Sequence, residues 1–225
     1  MSRTSCLVVA LALAFTTVAD AALTHRFSFN EATPKDSAGT AEATLKGSAK
    51  IADGKLVLNN ADKKDSVESV KAFMKVYKVL MSPRCMNCHP AGDAPLQGDD
   101  SHIHTMNVVR GPDGKGMYAT KCSNCHQPTN VPGQNTPPGN PKWQLPPSDM
   151  KMVFQGKTAR QLALQIMNYQ QNGHKNKEQL IEHARDTLVK AAWNMGEGRV
   201  PPPMSYTAFV NVWDTWIKKG GYAPK

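Results

Sequence analysis

The sequence predicts a mainly α, loop-rich domain with a short β appendage at its N-terminus. Three observations carry this. Apolar residues recur at helical spacing over 65–81 and 205–217. A proline-rich stretch at 127–149 has no period of either kind. The residues that follow the N-terminal apolar run alternate as in a strand.

The chain of 225 residues opens with Arg3, an apolar run from Leu7 to Phe15, and the small-residue stretch Ala19, Asp20, Ala21. This reads as a secretory signal peptide over residues 1–21, which sends the protein to the periplasm. The run is too short to span a membrane, and no later segment approaches the roughly 20 apolar residues a span needs. Cys6 precedes the run and is expected to leave with the signal.

Residues 22–64 form the expected appendage. Leu23, His25, Phe27 and Phe29 alternate, and KIADGKLVL places Asp53 and Gly54 at the turn of a hairpin. LTHRFSFN, DSAG and ATLKGSAKIADGKLVLNN resemble the opening strands of a laminin-G or concanavalin-like jelly roll. The stretch is too short for the whole two-sheet module, so it reads as a remnant, and no sugar binding is inferred.

The main domain is expected over 65–225. Asp65 and Glu68 have capping-box spacing, and Val67, Val70, Phe73, Met74, Tyr77, Leu80 and Met81 follow at helical intervals up to Pro83. Thr158 with Gln161 opens a second helix to about Gln171. A third runs from Asn176 to about Trp193, with Leu180, Ala184 and Leu188 inward. Ser205 caps a fourth, whose Phe209, Val212, Trp213, Trp216 and Ile217 share a face and which Gly220 and Gly221 close. Met74, Met81 and Met167 fall on these stripes and are expected as core filler.

Between the helices, CxxCH occurs twice, as Cys85–His89 and Cys122–His126, and these hold every cysteine except Cys6. Four cysteines in an exported chain suggest disulfides, yet roughly 200 residues can bury a core without them. A redox CxxC needs no following histidine. A zinc site built of two CxxC pairs leaves the histidine in the fifth position of both copies unexplained. CxxCH is the attachment signature of c-type haem: two thiols bond the vinyl groups, and one turn later the imidazole meets the iron. Two haem c groups are expected, one on Cys85 and Cys88 with His89 as proximal iron ligand, the other on Cys122 and Cys125 with His126.

At these motifs the chain resembles the bacterial dihaem c-type cytochromes. CMNCHPAGDAPLQGDD, HTMNVVRGPDGKG, KCSNCH and MVFQGKT are similar to a family of small exported cytochrome-like proteins often labelled as a subunit of isoquinoline 1-oxidoreductase, a molybdenum hydroxylase. The resemblance covers roughly residues 70–222. It implies a dihaem cytochrome c-like domain and a partner oxidoreductase. A helix before the haem motif and an aromatic helix at the C-terminus resemble class I cytochromes c, in which the two pack together. By the same likeness the proline-rich 127–149 stretch is expected as haem-pocket wall, with a linker as the alternative.

The sixth iron ligands decide between relay and catalysis, because an iron with two strong protein ligands passes electrons while an open one binds peroxide or nitrite. His104 and Met106 sit in a glycine-bounded loop between the motifs and resemble the family's HxMNV element. Met152 follows a proline-containing loop, as methionine ligands commonly do. His183 flanks the inward Leu180 and Ala184. His104 and His183 rank first, with Met106 and Met152 as runners-up. His102, Met117, Met150 and His174 are weaker, His174 because NGHKNK reads as a polar turn.

Lysine and arginine number 27 against 18 acidic residues, a net +9. Four haem propionates would bring this to about +5, which still suits an acidic redox protein or a membrane respiratory complex. Nucleic acid is excluded by the compartment and by the lack of a dense basic run interleaved with aromatics. The sequence thus predicts a periplasmic electron carrier rather than an enzyme. A peroxidase-like haem enzyme with one five-coordinate iron is the alternative.

Overall fold

The computed structural model describes residues 27, 28, 31, 33–38, 40, 42–45, 49–57 and 60–225. The signal peptide, Cys6, Leu23, His25 and Phe29 lie outside them. The chain divides into two compact units, Met1–Asn59 and Asn60–Lys225.

In the first unit, β1 (Phe27–Ser28) pairs antiparallel with β2 (Lys35–Asp36), and β3 (Lys50–Ala52) with β4 (Lys55–Val57). Asp53 and Gly54 both have positive φ, 51° and 67°, the backbone a two-residue turn of this hand requires. Among the described residues the strands of this unit form two separate two-stranded sheets.

The second unit holds α1 (Asn60–Leu80), α2 (Pro83–Met86), α3 (Ala159–Met167), α4 (Lys177–His183), α5 (Thr187–Ala191) and α6 (Tyr206–Lys218). It also holds two short antiparallel pairs, β5 (Leu96–Gln97) with β6 (His102–Ile103) and β7 (Gly116–Met117) with β8 (Thr120–Lys121). Helices cover a minority of the described residues. The fold is therefore mixed and loop-rich rather than mainly α.

Helix α1 packs against α6. Phe73 and Trp216 meet with ring centres 4.4 Å apart, and the buried Ser69 hydroxyl donates to the Trp216 carbonyl at 2.8 Å. Lys219 closes the pair by bridging to Asp65 at 2.7 Å. The stripe that α1 buries differs from the expected one. Ser69, Ala72, Phe73, Val76, Val79 and Leu80 are buried, whereas Val67 and Met74 are 46% and 40% exposed. The helical period fits two adjacent faces, and the aromatic surface of α6 selects between them.

Aromatic rings continue the core from Trp216 through Trp213 and Phe209 to Trp193. Each indole N–H in this run has an acceptor: Trp193 donates to the Met204 carbonyl, Trp213 to Leu180 and Trp216 to Tyr222. These rings can be buried without a stranded donor.

Thr158 with Gln161 and Asn176 with Gln179 form full capping boxes, and Ser205 caps α6. Two helices end early. Asn168 is extended and its side chain accepts from Gln170 N, stopping α3 at Met167. The helix expected over 176–193 is two, because the Asp186 carboxylate accepts from Leu188 N and begins α5 afresh.

Candidate functional site

Ser82 and Pro83 start α2, and its turns continue through Cys88 to His89, whose N–H donates to the Met86 carbonyl at 2.9 Å. Pro at the first helical position loses no bond there and sets the direction of the chain into the motif. Cys85, Cys88 and His89 emerge on the wall of a cavity of about 530 Å³, within the roughly 300–1,000 Å³ of cofactor sites. Leu80, Leu180, Phe209 and Trp213 bring the core to its apolar side, and the 142–150 stretch forms another side.

His89 is gripped from one direction by residues 152–155. Its Nδ1 donates to the Met152 carbonyl at 2.7 Å, its ring stacks on Phe154 at 3.9 Å and 7°, and its own carbonyl accepts from Phe154 N at 2.9 Å. A carbonyl only accepts, so Nδ1 carries the proton and Nε2 keeps its lone pair. Burial lowers the His89 pKa to about 4, which keeps the ring neutral at physiological pH.

His183, the last residue of α4, also lies on the cavity wall. The residue as a whole is exposed to solvent, yet protein also crowds its ring. That enclosure, with Lys175 second, lowers its pKa, and a charge on it would be felt at His89. His174 reaches the same wall, with positive φ and an edge-on contact to Tyr169. Met152 lines the cavity too, but its carbonyl holds His89 and its sulfur accepts weakly from Gln165 at 3.9 Å.

The second motif forms a short 3-10 turn at Cys122–Asn124, and His126 N donates back to the Cys122 carbonyl. His126 Nδ1 donates to the Pro138 carbonyl at 2.7 Å, and its ring stacks on Trp143 at 4.1 Å and 9°. Burial, then His104, lowers its pKa. The β5–β6 hairpin delivers His104, whose N–H is held by the Pro95 carbonyl and whose Nδ1 bonds the Thr105 carbonyl at 2.7 Å. Its ring centre stands 6.3 Å from that of His126, planes at 64°. Two imidazoles on opposite sides of one metal, with bonds of about 2.0–2.1 Å, have ring centres roughly 6.4 Å apart. Met106, beside His104, is 79% exposed with φ of 67°.

The four cysteines of the motifs are free thiols. Burial, then mutual repulsion, raises Cys85 to about 12, and burial raises Cys88 to about 11. A redox dithiol needs a lowered pKa, so these are poor candidates for one. Among the described residues no three His, Cys, Asp or Glu side chains gather as a metal site. A haem draws four ligands from its own ring and asks only one or two of the protein.

Trp143, Phe154 and Arg84 also belong to this region. The lone tryptophan among prolines and the phenylalanine of MVFQGKT were the available signals for the first two. Arg84, next to Cys85, gave none. Trp143 both stacks on His126 and lines the first cavity, so the proline-rich stretch borders both motifs. No family model, curated protein or solved structure matches the chain.

Proposed function

We propose that the chain is an exported dihaem electron-transfer protein, with Cys85 and Cys88 holding one haem c and Cys122 and Cys125 the other. The observation that carries it is the His126–His104 pair: the histidine of a CxxCH motif has a second imidazole near it, with ring centres 6.3 Å apart, a separation compatible with one intervening iron. His89 on the cavity wall supports the same reading for the first motif, with His183 as its sixth ligand. Each haem supplies a one-electron iron couple. The chain fixes His89, His104 and His126 by their Nδ1 bonds, lowers the pKa of the two motif histidines by burial, and stacks Phe154 and Trp143 on their rings.

Among the described residues no helix is long and apolar enough to cross a membrane. A positive surface suits an acidic redox protein or a membrane respiratory complex, and a molybdenum hydroxylase is one oxidoreductase it could serve. The test is stopped-flow mixing with one-electron donors and acceptors and, separately, with peroxide. Fast single-electron exchange without peroxide turnover supports a relay. Steady peroxide turnover favours the haem-enzyme reading.

A further inference from the structure

The charge of the chain is unevenly placed. Between Glu68 and Asp93, and again between Asp149 and Glu178, there is no acidic residue, and these two stretches carry nine lysines and arginines, as many as the whole net charge. They are also the segments that build the first motif. Helix α1 leads through Ser82 into Cys85, and residues 152–155 clamp His89.

The fold brings the two stretches together. The Tyr77 hydroxyl donates to the Lys157 carbonyl at 2.8 Å, which sets the start of α3 against the turn of α1 that bears Met74 and Lys78. Lys71, Lys75 and Lys78 follow one another at helical intervals, exposed and opposite the buried Phe73. On α3, Arg160 and Leu164 lie one turn apart and are exposed as well. Among the described residues none of Lys71, Lys75, Lys78, Lys157 and Arg160 has an ion-pair partner. Asp65 and Glu68 of α1 both turn to Lys219, at 2.7 and 3.6 Å, and Arg160 donates to the neutral Pro224 carbonyl.

Charge of one sign gathered on a short face repels itself, and a surface of the opposite sign relieves this. Met74 and Leu164, 40% and 51% exposed, add apolar area among the cations, the composition of a small interface core within a charged rim. A lipid surface fits less well. Interfacial helices enter lipid by an apolar stripe, and α1 and α3 turn theirs to the core through Phe73, Val76, Leu162 and Ile166.

We infer that the α1–α3 face is the docking surface for an acidic protein partner, which it holds against the two segments that build the first motif. As an electron-transfer contact this rests on the dihaem reading; as a protein contact it stands without it.

The test uses the intact purified protein, with intact mass measured on the same sample. The probe is a flavodoxin, a strongly acidic one-electron protein, titrated by calorimetry at low ionic strength, with phosphatidylglycerol vesicles as the comparison. Lys71→Glu with Lys75→Glu should weaken flavodoxin binding about tenfold or more, whereas Lys115→Glu with Lys121→Glu, an equal change of net charge beside the second motif, should weaken it less than about threefold. All four side chains are exposed, so both variants should fold. Equal losses in the two variants mean that net charge acts without a particular face, and overturn the proposal. So does a lack of flavodoxin binding by the unmutated protein. Vesicle binding that the α1 pair abolishes while flavodoxin binding persists makes the face a lipid contact and overturns it too. A haem-free mass with the contrast between the variants intact removes the dihaem reading and leaves the docking face standing.

Discussion

His126 of the second CxxCH and His104 of the preceding loop have ring centres 6.3 Å apart and planes at 64°, each anchored through Nδ1 to a backbone carbonyl 2.7 Å away. On the dihaem proposal, these two imidazoles would ligate one iron and leave it six-coordinate and low-spin. His104→Ala should convert about one haem equivalent to high spin, and His183→Ala the other. His174→Ala should convert none, although that residue also borders the cavity. Magnetic circular dichroism of the ferric protein reads each outcome.

Met152 separates carbonyl from sulfur. Its carbonyl accepts the His89 Nδ1 proton, and its sulfur is turned toward Gln165. Met152→Leu should therefore keep both haems low-spin, and Met106→Leu should too. If the methionine sulfur were an axial ligand, its loss would move one haem toward high spin and shift a potential that axial ligands govern over roughly 0.8 V.

The Phe73–Trp216 contact holds α1 to α6, and both rings are fully buried. Phe73→Ala should cost about 3–5 kcal/mol by denaturant unfolding. Both thioether-bound haems should remain by mass, since covalent attachment does not depend on this contact.

Asp214 on α6 accepts two bonds from Arg185, at 3.1 and 2.8 Å, and a third contact from Lys218. Burial opposes its ionisation, but these partners win and its pKa is lowered. A lowered folded-state pKa stabilises the protein above the ordinary carboxylate range, and that stability is lost as pH falls through the folded value. Asp214→Asn should thus destabilise the protein at pH 7, with the difference shrinking toward pH 3. Urea unfolding at the two pH values checks it.

What the sequence made legible was local. Thr158–Gln161, Ser205 and Asp53–Gly54 carry their own capping and turn chemistry, and each does what its residue types require. The buried face of α1 could not be read, because Met74 and Val76 both satisfy a helical period until Trp216 is in position. The β5–β6 pair was hidden for another reason. Two-residue strands show no alternation, and this hairpin rests on positive φ at Gly98 and Ser101. At the site the CxxCH spacing was plain, whereas Trp143 against His126 and Phe154 against His89 are contacts that only the fold creates.

The net charge of +9 bears on docking. Rates of electron exchange with an acidic partner should fall as salt rises, since exposed charges more than about 8–10 Å apart are screened at physiological ionic strength. Stopped-flow rates over a salt series measure this. A flat or rising profile would remove charge steering from the account.

Covalent attachment of two haems by four named thiols is the central claim, and intact mass of the purified protein tests it most directly. The account predicts the mass of the processed chain plus two haems, one haem fewer after joint replacement of Cys85 and Cys88 by alanine, and likewise for Cys122 and Cys125. A mass equal to the bare chain, or to the chain with zinc, would contradict it.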